Sequence, residues 1–125
     1  MPLHADTKEA PAFLRIAIEG DWPSSDERAT FRKHLTDSGL LRPETRLLVD
    51  LRGLTSMPAH GGIGAIVSDS RRSGGLTRLF AYVVRSVDQI VLARTLKQFA
   101  QGSIVEIFQD EQAATEWLWN AHDDY

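Results

Sequence analysis

No cysteine occurs anywhere in the 125-residue chain, which excludes disulfide scaffolds, thiolate metal sites and cysteine nucleophiles together. Long apolar runs are also missing, and none approaches the ~20 residues needed to cross a bilayer. The opening Met1-Pro2-Leu3-His4-Ala5-Asp6 has neither the basic start nor the apolar centre of a secretory leader, so a cytoplasmic location is expected. Histidine is sparse: His4, His34, His60 and His122 stand far apart, with no His-Glu-x-x-His or i, i+4 pairing. No metal or other cofactor is therefore expected. Lysine and arginine stop at Lys97, and the basic residues before it form no run and have no aromatic interleaving. That pattern argues against nucleic-acid binding, which favours a basic face.

What remains is an ordinary globular composition: 42% hydrophobic, 25% charged and a net charge of −3. The length suits one domain, since two separate cores would each be too small. The charge is segregated along the chain. All 14 basic residues, 11 of them arginine, and 11 acidic residues precede position 98, whereas Glu106, Asp110, Glu111, Glu116, Asp123 and Asp124 follow it unopposed. Any anion site is accordingly expected in the first 97 residues, with Arg71, Arg72, Arg78 and Arg85 as the nearest approach to a cluster.

Four apolar segments read as strands, at 13–18, 47–51, 79–84 and 104–108. The run Leu79-Phe80-Ala81-Tyr82-Val83-Val84 is apolar without alternation, as in a parallel strand covered on both faces. Helix signals lie between the strands. Ser24-Ser25-Asp26-Glu27 and Ser86-Val87-Asp88-Gln89 are capping boxes, in which a serine oxygen and the acid or amide three residues on satisfy each other's backbone amides. Ile63, Ile66 and Val67 mark one helical face between Ala59 and Gly74. A last helix starts at Asp110 and carries Ala113, Ala114, Trp117 and Leu118. The alternation predicts an α/β fold: a single domain over 13–122, a mainly parallel sheet of four to five strands and about four helices, with residues 1–12 as a possible edge strand.

Chemical motifs are few. His60-Gly61-Gly62-Ile63-Gly64 supplies glycines at a helix start, but no lysine or hydroxyl follows at phosphate-loop spacing, and Val67 stands where a dinucleotide fingerprint needs its third glycine. These glycines fit a tight strand-to-helix turn, whose free amides could still take an anion. His60 with Asp50 is the best acid/base pair on offer, although an aspartate at a strand end more often accepts from loop amides. The hydroxyls of Thr55, Ser56, Ser68 and Ser70 lie outside any nucleophile elbow, so no enzyme is expected. The helix opened by Ser86 is unusual. Leu92, Ala93, Leu96, Phe99 and Ala100 form one buried stripe, while Val87, Ile90 and Val91 point elsewhere, which suggests a partner or ligand surface. Trp22 or Trp119 could border such a patch.

Leu48-Val49-Asp50-Leu51-Arg52-Gly53-Leu54-Thr55, followed by Gly62-Ile63-Gly64-Ala65-Ile66, resembles a segment of STAS domains, the SpoIIAA-like anti-sigma-factor antagonists. The ending Glu106-Ile107-Phe108-Gln109-Asp110-Glu111-Gln112-Ala113-Ala114-Thr115-Glu116-Trp117-Leu118 is similar to that of the bacterial STAS/SEC14-type branch. The resemblance spans 13–119 and implies a non-catalytic bacterial domain acting by protein–protein interaction. It also implies a face built from Asp50, Arg52, Thr55, Ser56, His60, Gly61 and Gly62 beside Val87, Ile90 and Val91. The antagonists carry an Asp-Ser-Ser-Gly loop whose serine is phosphorylated, whereas here the stretch reads Ser56-Met57-Pro58-Ala59-His60-Gly61-Gly62. The usual phosphoserine is absent; the alternative of an anti-sigma-factor antagonist would need a displaced phosphosite at Thr55 or Ser56. The expected partner is a protein or a second copy of the chain. The SEC14-like branch implies the alternative, a small apolar or anionic ligand such as a lipid or nucleotide in a pocket near Phe80, Val87, Ile90 and Val91.

Overall fold

The computed structural model describes residues 3–9, 12–39, 46–56, 79–99 and 104–120. Among the described residues are seven strands, β1 (Leu3–Glu9), β2 (Ala12–Ile18), β3 (Gly20–Asp21), β4 (Leu47–Asp50), β5 (Leu54–Ser56), β6 (Leu79–Val83) and β7 (Ile104–Phe108), and three helices, α1 (Ser25–Asp37), α2 (Val87–Phe99) and α3 (Glu111–Asn120). Five strands form one sheet in the order β1-β2-β4-β6-β7. Only β1 runs against its neighbour; β2, β4, β6 and β7 are parallel throughout. Residues 3–9 thus form the edge strand for which the opening segment was a candidate. The helix expected between Ala59 and Gly74 lies outside the described residues.

Strand parity sorts the side chains into two cores. Leu14 and Ile18 on β2, Leu47 and Val49 on β4, and Leu51 and Val84 just beyond their strands face Leu35 of α1 with Leu92 and Ala93 of α2. Alternate residues Phe13, Leu48, Leu79, Ala81 and Val83 face Ala114 and Leu118 of α3. A parallel sheet between helix layers buries both of its faces, which explains why Leu47-Leu48-Val49 of β4 and the whole of β6 are apolar without alternation. Both central strands contribute residues with no measurable exposure: Leu48, Ala81 and Val83 are at 0%.

Local signals set the helix ends. Ser24 caps α1 by accepting from the Glu27 amide at 3.2 Å, and the Glu27 carboxylate accepts from the Ser24 amide at the same distance. Asp110 accepts from the Ala113 amide at 3.2 Å and so opens α3. A second sheet, β3 beside β5, is a feature that the sequence pattern did not announce. Gly20 enters it with φ +76°, a left-handed conformation that side chains oppose, and its amide donates to the Gly53 carbonyl at 2.9 Å.

Candidate functional site

At the carboxyl end of β4 the α3-facing row changes from apolar to charged. Arg15 lies two residues after Phe13 and Asp50 two after Leu48, so both project toward α3. There they meet Arg52 from the turn after β4 and Glu111 from the first turn of α3. Arg15 Nη2 donates to Asp50 Oδ2 at 2.6 Å and to Glu111 Oε1 at 3.1 Å, and its Nε donates to Glu111 Oε2 at 3.1 Å. Arg52 donates from Nε and Nη2 to the two Asp50 oxygens, each at 3.0 Å, and from Nη2 to Glu111 Oε1 at 2.6 Å. Two guanidinium forks thus share two carboxylates, the geometry in which charge-assisted hydrogen bonds are strongest.

The four groups differ in burial. The Asp50 side chain is 11% exposed and that of Arg15 22%, whereas Glu111 and Arg52 reach 32% and 35%. Burial would push the Asp50 carboxyl up, but hydrogen bonds from the Arg52 side chain and backbone, with the charges of Arg52 and Arg15, outweigh it and hold the group below the usual carboxylate range. The hydrogen bond to Glu111 helps to raise the Arg15 pKa, and that to Asp50 the Arg52 pKa, each against desolvation. Asp50 also accepts from the Arg52 amide at 3.0 Å. It is therefore the loop-amide acceptor that its strand-end position suggested, with its oxygens engaged by cations. The other member of the proposed acid/base pair, His60, lies outside the described residues, as do Gly61, Gly62, Arg71, Arg72 and Arg78.

Arg15 and Glu111 were not anticipated as site residues. Their signal was Arg15 itself, one charge inside the apolar run from Phe13 to Ile18, with the same parity as Asp50 once the strands align. Charge segregation along the chain also misled. The acidic stretch after Lys97 does not stay apart from the basic body, because Glu111 is folded onto Arg15 and Arg52.

A second polar centre lies on the opposite side of the same turn. Gln89, 2% exposed, accepts through Oε1 from the Arg85 amide at 2.7 Å and the Ser86 amide at 3.3 Å. Its Nε2 donates to the carbonyls of Arg52 at 3.3 Å and Leu54 at 3.0 Å. With the Gln89 amide donating to Ser86 Oγ at 3.2 Å, the expected capping box is present. Its amide also ties α2 to the turn after β4.

Val87 and Val91 follow one turn apart on α2 and are 74% and 56% exposed. Ile90 departs from the expectation: it is half-buried and packs against the core shared by α1 and α2. The helix rotates it inward because Ile90 precedes the buried Ala93 by three residues, placing both on nearly the same face. Phe80 packs against the same core and stacks on Tyr82 with ring centroids 6.2 Å apart. Two of the four residues proposed to line an apolar pocket are thus engaged in core packing. Trp22 also packs on that core, leaving Trp119, 54% exposed, as the outward-facing tryptophan of the two. Thr55 and Ser56 are exposed on β5. The Ser56 hydroxyl donates to Asp21 at 2.9 Å, so a phosphate on Ser56 would face a carboxylate rather than a cation.

No family model matches the chain, and no curated protein matches its sequence. Among solved structures it is similar to an uncharacterized protein of the DUF3478 family from Shewanella loihica PV-4, described as having a SpoIIAA-like fold. The two share 18% identity over 93% of this chain and 91% of that one, with a TM-score of 0.67. The α/β architecture described above is a SpoIIAA-like fold.

Proposed function

We propose that this chain is a non-catalytic regulatory domain that binds a protein partner through the first turns of α2. The observation that carries this reading is the pair Val87 and Val91, exposed one above the other on a helix start that Gln89 holds in place from below. Solvent-exposed valines spaced for one contact, on a fixed backbone, form a surface that loses little conformational entropy on docking. The ionisable cluster at the carboxyl end of β4 supports the same reading. Asp50, Arg15, Arg52 and Glu111 are engaged with one another, an arrangement that favours holding a shape over moving protons.

The test compares the wild-type chain with a Val87→Asp/Val91→Asp double variant. Both side chains are exposed, so the variant should keep its helical circular dichroism and its midpoint of thermal unfolding. Immobilised wild-type chain should capture a partner from extract of its own cells, or the pure chain should self-associate in sedimentation, and the variant should lose that association. If the variant retains the same association at the same strength, the face is not the binding surface.

A further inference from the structure

The turn after β4 faces in two directions. The Arg52 side chain reaches the ionic cluster, where it meets Asp50 and Glu111, while its backbone carbonyl accepts from Gln89 at the start of α2. A continuous path of hydrogen bonds therefore joins Glu111, on the first turn of α3, to the Arg85 and Ser86 amides that precede Val87. The links are Glu111 to Arg52, the Arg52 carbonyl to Gln89, and Gln89 to those amides. Arg15 and Asp50 brace the first link from the sheet.

The two ends differ in how easily they open. Gln89 is buried, and its carboxamide makes four hydrogen bonds, two as donor and two as acceptor. Displacing the turn would strand those groups away from water, so α2 has to follow the 52–54 carbonyls. The contact between Glu111 and Arg52 is about one-third exposed on both sides, which leaves it open to water, salt and competing anions.

We infer that Arg52 is a positioning residue for the exposed face of α2: through Gln89 it sets the pose of Val87 and Val91, and its contact with Glu111 decides how firmly that pose is held. The inference relies on the binding reading only in treating this face as the one that docks. The coupling itself belongs to the free chain. Its physical content is reciprocal: whatever stabilises the first turn of α2 also stabilises the ion contact, and the reverse.

Amide hydrogen exchange on the intact chain, without any partner, tests it. Arg52→Ala keeps the carbonyl that accepts from Gln89 but frees the turn from the ionic cluster, and should speed exchange at residues 86–91 by about tenfold, as if one net hydrogen bond were loosened. Glu111→Gln, nearly isosteric and altering a partly exposed carboxylate, should give a smaller increase in the same segment and stands in if Arg52→Ala fails to fold. Gln89→Ala should speed the segment on its own. Adding Arg52→Ala to it should produce little more, because the path runs through Gln89. If residues 86–91 exchange at the wild-type rate in both Arg52→Ala and Glu111→Gln, the coupling is overturned. It is equally overturned if the Arg52 and Gln89 effects multiply independently. Loss of partner capture in the Val87/Val91 variant bears on the binding reading alone, so the two can fail separately.

Discussion

The two helices whose N-termini flank the turn after β4 are fastened in opposite ways. The start of α3 is held by ions: Glu111 joins two arginines in a partly exposed cluster, and Ala114 and Leu118 are buried behind it. The start of α2 is held by a neutral amide buried to 2% exposure, and it presents Val87 and Val91 to water. Ionic fastening is screened by salt directly, whereas the buried amide meets salt only through its bond to the Arg52 carbonyl. The contrast shows how one turn can serve a core-facing helix and an outward-facing one with different chemistry.

The largest effect expected is one that should not distinguish the two sides. Leu118→Ala on the α3 side and Leu35→Ala on the α1/α2 side each truncate a side chain at 0–2% exposure and should each lower unfolding free energy by ~3 kcal/mol in urea. A loss confined to one side would mean that the two cores unfold separately.

Asp50→Asn should separate the sides. Removing the most buried charge of the cluster leaves two guanidiniums short of a partner, at a cost of ~2–3 kcal/mol for a site this buried. Because the Asp50 carboxyl is held below its ordinary value of 3.8, its contribution is complete above that pH and is lost as pH falls through the lowered folded-state value. Wild type and Asp50→Asn should therefore converge in stability below about pH 4. A gap that persists undiminished into strong acid would show that the aspartate acts by packing and not by charge.

The smallest effect sharpens the comparison most. Glu111→Gln should cost ~1 kcal/mol at low salt, and the difference from wild type should shrink toward high ionic strength. Gln89→Ala should show no such salt dependence. If both respond to salt alike, the division into ionic and neutral fastening does not hold.

Much of this was legible in the sequence. The serines at 24 and 86 and Asp110 marked three helix starts, because capping is a local exchange of hydrogen bonds that short spacing records. The apolar run of β6 announced a doubly covered sheet. The cluster was only half legible. Asp50 and Arg52 are neighbours and could be paired on sight, but Arg15 and Glu111 are 96 positions apart, and only the parallel register brings them together. Ile90 was misplaced because the first turns of α2 are apolar nearly all round, so periodicity could not tell inward from outward. The small β3–β5 sheet left no pattern, since a two-residue strand is too short to show alternation.

The span between Arg15 and Glu111 also bears on how the chain folds. Closing a contact so distant in sequence costs loop entropy that other packing has to offset. Arg15, Asp50 and Arg52 alone sum to one positive charge, which Glu111 balances. Seating α3 places the balancing carboxylate and the apolar Ala114 and Leu118 over the same row. The carboxylate at the head of α3 thus doubles as a register check, because a helix seated out of place would leave that charge unbalanced.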